Sequence, residues 1–319
     1  MKKLHKQLLG AGALVLGFLL FDLSVYNLFT KRCISDYSEG MQVKSIELGK
    51  YLPFEDSSAI VKLDSEFKLT GEDLPVLDGA TALYPVYSAF MNSVYPEGSC
   101  KFDGTDFAQD SLLQKRNTVG AYKAVVEGSS DIIFCAEPSE KQLAYAAEKG
   151  VELEFVPIGA EAFVFIVNKA NPVENLTTEQ IKGIYTGKYT RWSQVGGDKT
   201  LIAALQRSEG SGSQTAMLSF MDGTEMKKDY NSFLGRSIGY SFRFYVEDVV
   251  ADGKVKMLAV DGVYPDGESI RSGSYPVIDK FYAIYRKDND NPNIPPLIDW
   301  ILSDEGQKIV EDTGYVAIK

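Results

Sequence analysis

From residue 73 onward, short apolar runs alternate along the chain with segments whose apolar residues recur at helical spacing. "DIIFCAEPSEKQLAYAAEKG", "AFVFIVNKANPVENLTTEQIKGIYTG" and "LIAALQRSEGSGSQTAMLSFM" each begin as a buried strand would and continue as an amphipathic helix would. A strand followed by a helix, repeated, predicts an α/β fold with mixed or mainly parallel sheets, and no internal repeat is visible. Helix starts support this pattern. Thr177 with Gln180 makes a capping box ahead of Ile181, Ile184 and Tyr185, and Gly187 can close that helix. Thr81 follows an Asp78-Gly79 turn and precedes Leu83, Val86, Tyr87, Phe90 and Val94, which share one helical face. Ala216, Met217, Phe220 and Met221 predict a further helix that begins near Ser211 or Gly212.

The N-terminal segment has a different pattern. Lys2, Lys3 and Lys6 precede an apolar run over residues 8–21, which with Asp22 near an interface extends to Phe29. Residues 1–30 are expected to be a signal sequence or signal-anchor, and with no small-x-small cleavage pattern behind the run, an uncleaved anchor is expected. Cys33 is the candidate lipid-attachment point, although it follows "FTKR", where such a signal would have small and apolar residues, and a secreted or lipid-anchored chain is the alternative. Residues 31–72 show little periodicity and predict a tether and edge elements. Three cysteines allow one intramolecular disulfide at most, and Cys135, in "DIIFCA", is expected as a buried free thiol.

Composition narrows the function more than the fold. The chain has 319 residues, 45% apolar and 24% charged, enough for a sizeable core. A formal charge of -11 with scattered Lys and Arg speaks against a nucleic-acid binder, which needs a concentrated basic face. The single histidine, His5, lies before the apolar run, so a Ser-His-Asp triad, a Cys-His dyad and a histidine zinc site are excluded from the rest of the chain. Neither a P-loop nor a dinucleotide fingerprint is present. No enzymatic activity, cofactor or metal is expected.

Candidate chemistry concentrates in "LQRSEGSGSQTAML", residues 205–218. Glycines let backbone approach a ligand, and the helix mouth, the Ser211 and Ser213 hydroxyls, Gly212 and the Arg207 guanidinium would converge there as an anion site. Glu209 is expected to hold Arg207 in one rotamer. Glu137 follows the apolar run of "DIIFCAEPS", at the carboxyl end of a strand, where open α/β sheets bind ligands. Asn117 and Thr118, in "RNTVGAYKAV", precede another helical pattern.

The order "DGATALYPVY", "NTVGAYKAVVEGSSDIIFCAEPS", "IKGIYTGKYTRWSQVGG", "RSEGSGSQTAM", "SIGYSF" and "KMLAVDGVYP" resembles the phosphate-binding-like family of periplasmic-type solute-binding proteins over residues 73–319. The resemblance implies a type II fold of two α/β lobes joined by two hinge crossings, near residues 156–159 and 262–276, behind an N-terminal hydrophobic helix. Residues 73–157 with 275–319 would form one lobe and 158–274 the other. It also implies that Thr81 and the Ala82 N–H bind ligand oxygens at one helix mouth, Asn117 or Thr118 at a second, and Arg207, Ser211, Gly212 and Ser213 at a third, with Glu209 supporting. Glu137 falls where such receptors place an Asp. There a carboxylate accepts a hydrogen bond from a protonated anion and repels sulfate, but Glu is a methylene longer and "CAEPS" departs from the "ASDAP"-like pattern. The expected partners are inorganic phosphate or a related oxyanion, an ABC-type permease, and the membrane through the N-terminal helix, for a monomer on the extracytoplasmic face. The alternative is a membrane-anchored sensor or surface interaction module that keeps the fold and binds another ligand.

Overall fold

Two strands run through both halves of the molecule. The computed structural model describes residues 46–227, 235–249 and 254–318, with Gly17 and residues 20–22. The anchor expected over residues 1–30 and the tether before residue 46, with Cys33, otherwise lie outside the described residues. Among those described, no helix is long and apolar enough to cross a membrane. Strand β3 (Leu153–Asn168) pairs antiparallel with β9 (Ile278–Arg286) along its first part and with β6 (Arg236–Phe242) and β7 (Val255–Met257) along its second. The full sheet order is β1-β2-β9-β3-β6-β5, with β7 also on β3, where β1 is Leu77–Gly79, β2 Ile132–Ala136 and β5 Ile202–Ala204, while β4 (Asn175–Leu176) and β8 (Ala259–Val260) pair apart from it. The sheet is mixed, because β1–β2 and β5–β6 are parallel while every pairing of β3 and β9 is antiparallel.

The first lobe is a sandwich around β1, β2 and β9. Alternation along β2 sends Ile132 and Phe134 to one face and Ile133 and Cys135 to the other. Helices α1 (Tyr84–Val94), α7 (Ile294–Ile301) and α8 (Asp304–Asp312) cover the first face. Helices α2 (Asn117–Glu127) and α3 (Glu140–Glu148) cover the second. Helix α1 is buried nearly all round, beyond the single apolar face that its pattern predicted. The reason is the segment over residues 46–72, which is no free tether. Ile46, Tyr51, Ile60 and Leu69 join the α1 core, Ser88 Oγ donates to the Tyr51 carbonyl at 2.5 Å, and the Leu69 N–H donates to the Val94 carbonyl at 2.8 Å. Cys135 is a buried free thiol and Cys100 is free and half-buried.

The second lobe packs the remainder of β3 with β5, β6 and β7 against α4 (Thr178–Tyr185), α5 (Gly212–Met221) and α6 (Gly267–Arg271). The run Ala162, Phe163, Val164, Phe165 is buried on both faces of the sheet, which explains why it does not alternate. The capping box at Thr177 and Gln180 forms, and Gly187 follows the helix with φ 77°. Residues 262–276, where the second crossing was expected, hold α6 and place Ile270 and Tyr275 in this lobe's core. The chain returns along β9 instead.

At the first crossing the register of β3 slips between Pro157 and Gly159. Proline has no N–H for the ladder, so a bulge at this point is the expected outcome. The bulged Ile158 is buried, and its carbonyl accepts from Gln307 Nε2 at 3.0 Å. Gly159 has no room for a side chain, since a Cβ there would lie 2.2 Å from Phe281 Cζ. Phe281 cannot swing aside, because it is buried and set edge-on against Tyr315 at 5.2 Å. Gly159→Ala is therefore expected to destabilise the fold by about 2 kcal/mol in urea unfolding, with partial recovery on adding Phe281→Leu. A variant as stable as the parent would show that the crossing is not tightly packed.

Candidate anion-binding cleft

The site begins with one buried carboxylate. Asp78, fully buried in β1, accepts from the Gly79 N–H at 2.8 Å, the Arg116 N–H at 3.0 Å, the Arg116 guanidinium at 2.5 Å and Ser130 Oγ at 3.2 Å. A buried carboxylate needs such partners, and here they tie the end of β1 to the residue just before α2. Two helix mouths are fixed to each other as a result. The first opens at Thr81 and Ala82, in a short 3₁₀ turn (Thr81–Leu83) that leads into α1, with the Ala82 carbonyl held by the Tyr315 hydroxyl. The second opens at Asn117 and Thr118. Asn117 has φ 66°, a conformation Asn tolerates, and its Oδ1 accepts from the Gly120 N–H at 3.2 Å, capping α2.

The third mouth belongs to the other lobe. Ser211 caps α5, its Oγ accepting from the Gln214 N–H at 3.2 Å, and leaves the first-turn N–H groups at Gly212 and Ser213 without partners inside the helix. Arg207 is held from behind. Its N–H donates to Gln214 Oε1 at 3.0 Å and to the Tyr240 hydroxyl at 3.1 Å, while that hydroxyl donates to Gln214 Oε1. Burial pushes the Tyr240 hydroxyl up to about 12, against the pull of Arg207, so it stays a donor at neutral pH.

These three mouths face one cleft of about 330 Å³ between the lobes. Thr81, Ala82, Asn117, Thr118, Arg207, Ser211, Gly212 and Ser213 all line it. Gly212 comes so close to the other lobe that a Cβ on it would lie 3.5 Å from Thr118 Oγ1. Among the described residues, no carboxylate forms an ion pair with the Arg207 guanidinium. Three helix N-termini and one unpaired cation make the cleft a place for negative charge.

Two expected residues are elsewhere. Glu209 pairs with Lys141 at 2.6 Å instead of Arg207, because Lys141 on α3 of the first lobe reaches across to the loop that carries it. Glu137 is exposed, lies off the cleft lining, and accepts from the Tyr282 hydroxyl at 3.0 Å. The cause is alternation, since the preceding Ala136 is the residue that lines the cleft.

The acid inside the cleft is Glu161 of β3, only 6% exposed, which accepts from the Phe244 N–H at 2.6 Å. Burial raises its carboxyl to about 8, with the Phe244 N–H and Arg243 pulling down and Glu247 and Asp279 pushing up. The sequence signal for it was a lone charge inside the apolar run "GAEAFVFIV". Gln214, Tyr240 and the Asp78–Arg116 pair gave no such signal. Among the described residues, no cluster of His, Cys, Asp and Glu could hold a metal ion.

A family model for the PBP superfamily domain matches residues 76–305. The chain belongs to the PBP superfamily. Curated relatives of this PBP-superfamily chain include the phosphate-binding protein PstS of Borreliella burgdorferi, 26% identical over 179 residues, covering 50% of this chain and 64% of that one. PstS of Bacillus subtilis is 26% identical over 208 residues, covering 61% of this chain and 65% of that one. The match thus spans just under two thirds of the length of both relatives. A crystal structure of a putative phosphate ABC transporter substrate-binding protein with bound phosphate, from Clostridium perfringens, superposes with a TM-score of 0.57 at 26% identity, over 76% of this chain and 98% of that one.

Two variants test how the site is held. Asp78→Ala strands Arg116 and loosens two helix mouths together, and is expected to destabilise the protein by about 3 kcal/mol in denaturant unfolding; a near-neutral effect would remove the pair from its role. Glu161→Gln tests the buried acid. Since its folded value lies above the ordinary 4.5, the native state holds the proton longer than the unfolded state, and the parent loses stability as pH rises from about 4.5 to about 8. Relative to the parent, Glu161→Gln should therefore gain on the order of 3 to 5 kcal/mol across that window and nothing further above it. A flat difference between pH 5 and 8 would show that Glu161 is ionised in the fold.

Proposed function

We propose that this protein is an extracytoplasmic solute-binding protein that captures phosphate between its two lobes and presents it to an ABC-type transporter. The carrying observation is the convergence on one interlobe cleft of three helix mouths and Arg207, whose guanidinium has no ion pair among the described residues. Relatives named as phosphate-binding proteins and a similar structure with bound phosphate support the choice of oxyanion.

Capture works by replacing the anion's water. Each N–H and hydroxyl that faces the cleft is weakly bonded when wet and counts for more once the lobes exclude solvent. Lys141 with Glu209, and Gln142 Nε2 with the Gly210 carbonyl at 3.4 Å, already bridge the two lobes at the rim. The closed form is the form a membrane permease would recognise. The ligand-binding set is Thr81, Ala82, Asn117, Thr118, Arg207, Ser211, Gly212 and Ser213. No chemical step is assigned to any of them. Residues 1–30 would tether a monomer to the outer face of the membrane.

Calorimetric titration of the chain, unfolded and refolded to strip bound ligand, is expected to show phosphate binding at micromolar or tighter affinity. Arg207→Ala is expected to weaken that binding at least about tenfold, or about 1.4 kcal/mol, because it removes the one cationic side chain among the described residues of the cleft lining. An unchanged affinity would overturn the site; no heat from folded parent protein would overturn the ligand.

A further inference from the structure

A second feature of the cleft concerns the proton rather than the anion. Among the described residues that line it, Glu161 is the one acidic side chain and Arg207 the one cationic side chain. Glu161 stands on β3 just past the register slip, and its antiparallel partner across the ladder is Asp279 of β9. Directly opposed residues of an antiparallel pair lie on one face, so two acids sit side by side where both strands cross between the lobes. One oxygen of Glu161 takes the Phe244 N–H at 2.6 Å, and no other described residue donates to it. One oxygen of Asp279 is buried without any partner among the described residues.

Among the described residues, no cation forms an ion pair with either acid, and the nearest one, Arg243, is engaged elsewhere. Arg243, at the end of β6, is already committed to Glu247, with guanidinium nitrogens 2.8 and 3.0 Å from its carboxylate. Glu247 and Asp279 are themselves acids, Glu137 adds negative potential at Asp279, and Tyr245 is a phenol on the lining. Arg207 belongs to the anion site. A buried carboxylate and a half-buried one beside it, with no ion pair to either among the described residues, do not both ionise.

We propose that Glu161 takes part in anion binding as a neutral acid, keeping its proton on the oxygen not used by Phe244 and donating that hydrogen bond to the oxyanion. This rests on the oxyanion reading of the cleft. The elevated titration of Glu161, about 8, agrees with a carboxyl that is protonated at neutral pH. The ligand then needs no proton of its own, so a fully ionised oxyanion such as sulfate is accepted alongside phosphate near neutral pH. As pH rises through about 8 the acid ionises, the donor is lost, and a negative charge faces the anion. Affinity falls with rising pH, and binding above that pH draws a proton from solution.

Sulfate is the deciding probe because it does not titrate in this range. The full chain in detergent is titrated with sulfate and with phosphate between about pH 6.5 and pH 9.5, in buffers of different ionisation enthalpy. The expected result is sulfate binding near neutrality, affinity that drops by up to about tenfold per pH unit above the Glu161 titration, and uptake approaching one proton per sulfate at about pH 9. Glu161→Gln, whose amide donates but does not titrate, is expected to lose both the slope and the uptake. Sulfate binding without proton uptake, or phosphate binding with no sulfate binding near neutrality, overturns the proton role and leaves the proposed function standing. No binding of either anion by folded parent protein overturns both. Proton uptake by the parent decides the matter even where the variant fails to fold.

Discussion

Everything in this molecule depends on one pair of strands that belongs to both lobes. Strand β3 spends its first residues in the first lobe's sheet beside β9 and its last beside β6 and β7 in the second. Because the ladder is continuous, the lobes cannot separate without distorting it, and the single register slip between Pro157 and Gly159 is where it is already relaxed. The bulge is not loose. Gln307 satisfies the Ile158 carbonyl, the Ala160 N–H and carbonyl pair with Val316 at 2.8 and 3.0 Å, and Phe281 fills the space a Gly159 side chain would need. A crossing packed in this way favours small rotations about a fixed axis over free movement of two bodies.

On that axis the groups proposed to donate to the anion are held by others that lie outside the proposed ligand-binding set. Asp78 locks the first and second helix mouths together, and Gln214 with Tyr240 fixes the backbone of Arg207 relative to the third. Each lobe thus presets its own half of the site, and only the distance between halves is left to closure. Donors fixed in advance lose less freedom on binding, which is where a site made of backbone N–H groups gains over one made of flexible lysines.

The strand and helix order was legible because periodicity, caps and turn residues are local. Ser211 as cap of α5, the Thr177 capping box and the positions of Thr81, Thr118 and Arg207 on the cleft all follow from short-range pattern together with family resemblance. What failed was long-range. Glu209 sits two residues from Arg207 in sequence, yet its partner is Lys141 on the other lobe, which no local pattern can reveal. Glu137 adjoins the cleft in sequence but alternates out of it after Ala136, and one residue of offset was enough to move the expected acid to solvent. The burial of α1 on all sides depends on residues 46–72, a segment too aperiodic to show that it folds back. Glu161 carried a signal that was there to be read, since an acid in an apolar strand must either find donors or keep its proton.

The position of that acid joins the hinge to the first helix mouth. Phe244 follows the end of β6 in the second lobe, yet its side chain packs in the first lobe's core, stacked on Tyr315 at 4.8 Å. Its N–H holds Glu161, and the hydroxyl of Tyr315 holds the Ala82 carbonyl at the first helix mouth. The contacts that bury Glu161 are therefore contacts between lobes. Its desolvation, the main cause of its raised titration, comes from burial at this junction. Helix mouths alone supply donors to any oxyanion of suitable size, so an acid built into the axis of closure is the part of this cleft whose state depends on protons as well as on the anion.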